Sequence, residues 1–386
     1  MKINYGLHYI DKKDIRGVTK ILKSNFLTQG PTIEKFEKKL KKRFGAKYCI
    51  ALSSGTAALH LISLVSNWSK KDEIICSPNT FVASANCILY AGAKPVLADI
   101  DKETFNLDPK QCEKILKKKN KIKAIIVTDY AGHPADWKGF KELSKKYNVK
   151  LINDNCHAIG AKYLKSEKYA VKYADMVSMS FHPVKNITTG EGGAILTNNK
   201  SYYEKAKNLR SHGIIRNLQN RKKIGNWFYD INELGYNYRL TDFQSSIGIT
   251  QLDKLSLFIK KRIQISKIYN EEFKEVNNIL TPTVKKNMLH AYHLYPLRIN
   301  FKKINLSKKK FFSIMLKKGY NLQVHYIPIH FHNYHKKNVK YKKRELQVTE
   351  QFYKDEVSLP NYFQLSIKEV YKITKIIKKI ISGKIS

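Results

Sequence analysis

Between Tyr48 and Thr197 the chain alternates short apolar runs with amphipathic stretches. The runs are YCIAL, EIIC, KPVLA, KAIIVT, KLIND, DMVSMS and GAILT. Runs of this length lack the polar alternation of a half-exposed strand, so they predict strands buried on both faces. Helices between them predict a largely parallel α/β sheet, in which ligands collect at the carboxyl ends of the strands.

The flanks read differently. Asp11 is a candidate N-cap for a helix with Ile15, Val18, Ile21 and Leu22 on one face. After TQGP a second helix carries Ile33, Phe36, Leu40 and Phe44. A long helix is expected over Thr241–Phe273. Beyond it lies a small α/β region with strands near HLYPLRI and NLQVHYI and helices around 308–318 and 366–381. The expected organisation is a large domain with an N-terminal arm (1–240), a long connecting helix (241–280) and a small C-terminal α/β domain (281–386).

Composition narrows the function classes. Net charge is +41, which raises a nucleic-acid partner as a possible role. Of the 72 basic residues only nine are arginine, the usual bidentate reader of phosphate and base edges. The lysines fall in short runs such as 117–119 and 308–310, which read as solvated faces. A basic nucleic-acid-binding protein is therefore the weaker alternative, and no nucleic-acid partner is expected. No apolar run is long enough to span a membrane, and the N-terminus has no signal-peptide pattern. The five cysteines are widely spaced with no C-x-x-C pair, which predicts reduced thiols in a cytoplasmic protein, without disulfides or a metal site.

Three features fall at expected strand ends. Gly55 and Thr56 follow YCIAL and open a helix, where free N–H groups suit a phosphate. Asp154 ends KLIND, and a carboxylate there needs a cation or several donors. His157 lies one helical turn further on. Ser180 ends DMVSMS, and Lys185 follows before a turn with Gly190, Gly192 and Gly193. A desolvated lysine can lose its proton and condense with an aldehyde, while the serine holds a phosphate on the same molecule. Phosphate cup, aspartate, then serine and lysine match the needs of pyridoxal 5′-phosphate, with Asp154 on the ring nitrogen.

At this point the chain resembles the DegT/DnrJ/EryC1/StrS sugar aminotransferases. The resemblance rests on FLTQGPTIEKFE, SSGTAALHL, FVASANCILYAGAKPVLADID, SFHPVKNITTGEGGAILTN, RSHGI and GYNYRLTDFQSSIGITQL. It implies a type I pyridoxal-phosphate-dependent transferase fold, a homodimer with shared active sites, and L-glutamate as amino donor. It carries Lys185 onto the lysine that binds the cofactor covalently and Asp154 onto its ring-nitrogen partner. It places Ser180 on the phosphate, Asn237 on the phosphate of the partner subunit's cofactor, and Phe81 over the pyridine ring. Many members have glutamine at the position of His157, which the resemblance counts with the catalytic and cofactor-binding residues, in contact with the ring hydroxyl; NDNC departs from the commoner acidic-acidic-alanine-alanine pattern. Lys185 argues against the family's dehydratase branch, which has histidine there. YHLYPLRI and LQVHYIPIHFHNYH resemble the pseudaminic acid branch. That likeness implies amination at C4 of a UDP-linked 4-keto sugar, UDP-2-acetamido-2,6-dideoxy-β-L-arabino-hex-4-ulose, with a dTDP- or GDP-linked 4-keto sugar as the alternative. It also implies that Tyr5, the segment Asn25, Phe26, Leu27 and Thr28, and the segment Gln323, Val324, His325 and Tyr326 touch substrate or cofactor.

Overall fold

The computed structural model describes residues 2–385, the side chains of Leu218 and Lys343 excepted. All seven apolar runs form strands of one sheet. Its spatial order is Tyr48–Leu52, Gly193–Thr197, Met176–Ser180, Lys150–Asp154, Ile122–Thr128, Glu73–Cys76 and Lys94–Leu97. Gly193–Thr197 runs antiparallel to both neighbours, and the other pairings are parallel.

Side chains along each strand alternate between two cores, as a period of two requires. Ala51, Ile125 and Val127 face one side, against Phe36, Leu40 and Trp137. Ile50, Ile126 and Ile152 face the other, against Leu59, Ile62 and Ile88. Both faces being covered explains why the runs are apolar without interruption.

The helices at the N-terminus form where expected, over Lys12–Leu22 and Pro31–Phe44. Asp11 caps the first with a capping box to Asp14. The long helix spans Asp242–Phe273, and Thr241 caps it with Gln244. Asp242 is fully buried and accepts from the N–H groups of Gly30 (2.7 Å) and Thr32 (2.9 Å). One carboxylate thus joins the starts of two helices. The outer end of the Phe36 ring packs on Gly248 of the long helix, where a β-carbon would lie 2.6 Å from the ring.

Past the long helix, Ile279–Leu280, Tyr295–Ile299 and Glu356–Leu359 form a three-stranded antiparallel sheet. Lys308–Lys317 and Ile367–Ile381 cover it around a third core that includes Leu297, Phe311 and Ile373. The N-terminal arm reaches this part of the molecule, since Ile3–Asn4 pairs in parallel with Tyr320–Asn321.

The expected strand over NLQVHYI is confined to Tyr320–Asn321. Beyond a single bridge from Gln323 to Ser358, the chain leaves the ladder. Side chains have replaced the ladder as partners there. The His325 N–H donates to the Glu356 carboxylate (3.0 Å), and Tyr326 bonds His157 through its hydroxyl (2.9 Å). Among the described residues no helix is long and apolar enough to cross a membrane. All five cysteines are free thiols.

Candidate active site

A cavity of about 620 Å³ opens at the carboxyl ends of the parallel strands. Its wall includes Tyr5, Gly55, Thr56, Phe81, Asp154, His157, Ser180, Lys185 and the whole segment from Gln323 to Tyr326.

One side is made by the start of the helix Gly55–Val65, capped by Ser54, whose Oγ accepts from the Ala57 N–H at 3.0 Å. A β-carbon at residue 55 would fall 2.8 Å from Ser180 Cβ, and one at Gly193 would fall 2.3 Å from the Ser54 carbonyl oxygen. Only glycines let strand end, helix start and turn meet so closely. The N–H groups at the helix start and the Ser180 hydroxyl thus come together as an anion-binding set.

Asp154 is buried at the end of its strand. It accepts from Ser84 Oγ–H (2.6 Å) and from the Cys156 N–H (3.2 Å). Ser84 belongs to a hydroxyl chain through Thr80 to Thr128, with links of 3.0 and 2.9 Å. An ionised carboxylate has about four acceptor positions, so Asp154 keeps capacity for a cationic N–H in the cavity.

Lys185 follows a tight turn in which its own N–H donates to the His182 carbonyl (2.9 Å). Desolvation draws its amine below the ordinary lysine range, opposed by the neighbouring Cys156 and Asp154. The side chain of Asn186 ties the turn to the Ile159 carbonyl (2.9 Å). Phe81 stands at the cavity with half of its surface uncovered, its ring centroid 6.0 Å from that of Tyr326.

His157 Nδ1 accepts from the Ala131 N–H (3.3 Å), and its Nε2 lies 2.9 Å from the Tyr326 hydroxyl. Burial, reinforced by Lys185 and His325, holds the imidazole well below its usual pKa and therefore neutral.

Two groups of expected site residues lie elsewhere in the single chain. Asn25, Phe26, Leu27 and Thr28 are exposed and outside the cavity, held by a bridge from Thr28 to Thr241. Asn237 is also exposed and bridges Ser211. Ser84, Thr80, Cys156, Glu191 and His293 join the cavity or its supports without having been singled out in the sequence. Ser84 carried a usable signal, since it lies one helical turn after Phe81.

Solved structures share this arrangement of the chain. Helicobacter pylori PseC, described as an aminotransferase in pseudaminic acid biosynthesis, superposes with a TM-score of 0.89 at 32% identity, over 99% of this chain and all of that one. A putative sugar aminotransferase of Streptococcus pneumoniae in its PLP form gives a TM-score of 0.88 at 27% identity over the full length of both. The fold is therefore that of the type I pyridoxal-phosphate-dependent transferases. A relative in Campylobacter jejuni, named UDP-4-amino-4,6-dideoxy-N-acetyl-beta-L-altrosamine transaminase, is 40% identical over 368 residues, 95% of this chain and 94% of that one. The chain belongs to the DegT/DnrJ/EryC1/StrS aminotransferase family, whose sequence profile matches residues 8–378.

Proposed function

We propose that the protein is a pyridoxal-phosphate-dependent nucleotide-sugar 4-aminotransferase. It moves an amino group from L-glutamate to C4 of UDP-2-acetamido-2,6-dideoxy-β-L-arabino-hex-4-ulose. The observation that carries this reading is the convergence of Lys185, Asp154, Ser180 and Gly55 on one cavity, each from the end of a different strand or turn. The likeness to the Campylobacter transaminase and to PseC supports the choice of sugar.

The residues fit the cofactor. Gly55, Thr56 and Ser180 offer donors to its phosphate, and Asp154 has acceptor capacity for the pyridinium N–H. Phe81 offers an uncovered aromatic face for stacking. When bound, pyridoxal 5′-phosphate supplies an aldehyde for amine exchange and a protonated ring that takes up an electron pair.

The protein's own residues do the rest. Lys185, its amine drawn below the ordinary lysine range by desolvation, accepts at Nζ the proton that leaves the Cα of glutamate. Asp154 offers a carboxylate oxygen to the N–H of the pyridine ring and so holds the proton there. Tyr5 and Gln323–Tyr326 line the part of the cavity where the sugar binds. Asn25–Thr28 and Asn237 are assigned to the partner's site in a homodimer, in keeping with their exposure and their absence from the wall of this chain's own cavity.

The test is direct. Borohydride reduction of the yellow holoenzyme should fix the cofactor on the peptide containing Lys185. A panel of UDP-, dTDP- and GDP-linked 4-keto sugars with glutamate should show highest kcat/KM for the UDP-linked, N-acetylated L-sugar. A comparable kcat/KM for a dTDP- or GDP-linked D-sugar would refute the choice of sugar while leaving the transaminase reading intact.

A further inference from the structure

Behind the cavity wall formed by Gln323–Tyr326 lies a buried polar chain with no part in the chemistry above. Glu356 opens a strand of the small sheet and is fully buried. Its Oε1 accepts from Ser358 Oγ at 2.5 Å, and its Oε2 accepts from the His325 N–H at 3.0 Å. The same Ser358 Oγ lies 2.8 Å from His325 Nδ1.

A serine has one hydrogen to give. With that hydrogen on the ionised Glu356, Ser358 accepts from His325, so His325 carries its proton on Nδ1. Burial, with Lys185 nearby, pushes the imidazole down to about 3, so the ring is neutral and Nε2 holds a lone pair. Among the described residues Nε2 has no protein partner, and His325 is part of the cavity wall. The Tyr130 hydroxyl donates to the His325 carbonyl at 2.5 Å and fixes the backbone.

The next residue is set the opposite way. The Ala131 N–H occupies His157 Nδ1, so His157 Nε2–H donates to the Tyr326 oxygen and leaves the tyrosine's own hydrogen free. Two neighbouring residues therefore offer the cavity one acceptor and one donor.

We propose that Glu356 is a positioning residue that, through Ser358, fixes His325 as the Nδ1–H tautomer, so that Nε2 accepts a hydrogen bond from a hydroxyl or amide N–H of the sugar. This rests on the reading of the cavity as a sugar aminotransferase site. A sugar without a donor at that place leaves a buried acceptor unpaired and is discriminated against.

The relay has a pH limit. Burial raises Glu356 to about 7, while Lys308, Ser358 and the His325 N–H pull the other way. The groups facing it are the Lys308 ammonium, the phenols of Tyr130 and Tyr326, and Arg298 directly opposite on the neighbouring strand. As pH falls through about 7 the carboxyl gains a hydrogen, donates to Ser358, and Ser358 donates to His325 Nδ1. Nε2 then presents a hydrogen in place of a lone pair.

Glu356→Gln imposes that reversed state at every pH. The amide oxygen must stay on the His325 N–H, which places the amide nitrogen on Ser358. In ¹⁵N-histidine-labelled holoenzyme at pH 8, with His325 assigned by its loss in His325→Gln, wild type should show the Nδ1–H tautomer and Glu356→Gln the Nε2–H tautomer. With UDP-2-acetamido-2,6-dideoxy-β-L-arabino-hex-4-ulose, Glu356→Gln should raise the sugar KM on the order of tenfold with kcat within about twofold. Wild-type sugar KM should rise as pH falls through about 7, and the variant's should not. An Nε2–H or doubly protonated His325 in wild type at pH 8 overturns the proposal, whether or not the variant folds. Equal KM in the two proteins also overturns it. Tautomer reversal without turnover of any 4-keto sugar defeats the functional reading and leaves the Glu356 relay standing.

Discussion

Gly55 and Ser180 approach so closely that a single added β-carbon at residue 55 would fall 2.8 Å from the serine's own Cβ. The contact joins the first turn of a helix to the end of a strand that the sheet places two positions away. Gly55→Ala should therefore force the two elements apart where the cofactor's phosphate is to bind. Overpacking of this kind costs about 1–3 kcal/mol. Fluorescence titration of apoprotein with pyridoxal 5′-phosphate should show affinity lowered by roughly tenfold or more. Unchanged affinity would mean that this helix start does not receive the phosphate.

His157 acts through a defined pair of contacts, accepting from Ala131 and donating to Tyr326. A glutamine side chain can do both, with its amide oxygen toward Ala131 and its nitrogen toward Tyr326. His157→Gln should keep kcat/KM within about threefold of wild type, whereas His157→Leu leaves buried groups unpaired and should lose on the order of tenfold or more. Equal losses in the two variants would show that ring shape, not hydrogen bonding, is what matters at this position.

Asn237 and Asn25–Thr28 are exposed in the single chain and do not line its cavity. Mixing inactive Lys185→Ala with inactive Asn237→Ala chains should restore activity, because one site of each heterodimer escapes both changes. Verified heterodimers without activity would argue that Asn237 serves its own subunit or no site.

Asp242 caps the start of the helix Pro31–Phe44 through Gly30 and Thr32 while sitting in the first turn of the long helix. Asp242→Ala leaves two N–H groups without partners and should lower unfolding free energy by about 1–3 kcal/mol in urea titration. A loss below about 0.5 kcal/mol would show that water replaces the carboxylate there.

The seven strands, the two N-terminal helices and the long helix were legible because period and run length are local properties of the chain. Lys185, Asp154, Ser180 and Gly55 were legible for a related reason: in a parallel sheet, whatever follows a strand end arrives at one edge. NLQVHYI alternates apolar and polar residues as a strand does, yet pairs as a strand only at its start. Its fate depended on Glu356 and His157, 31 and 169 residues away along the chain, which take up its donors and hydroxyl. No local pattern reports such partners. For the same reason Ser358, Glu356 and the Thr80–Ser84 hydroxyl chain passed unnoticed in the sequence, although they orient the groups that face the cavity. Sequence alone thus determined which residues stand at the strand ends. Only the tertiary structure decided the direction of each hydrogen bond among them, because a donor's hydrogen goes wherever packing has brought an acceptor.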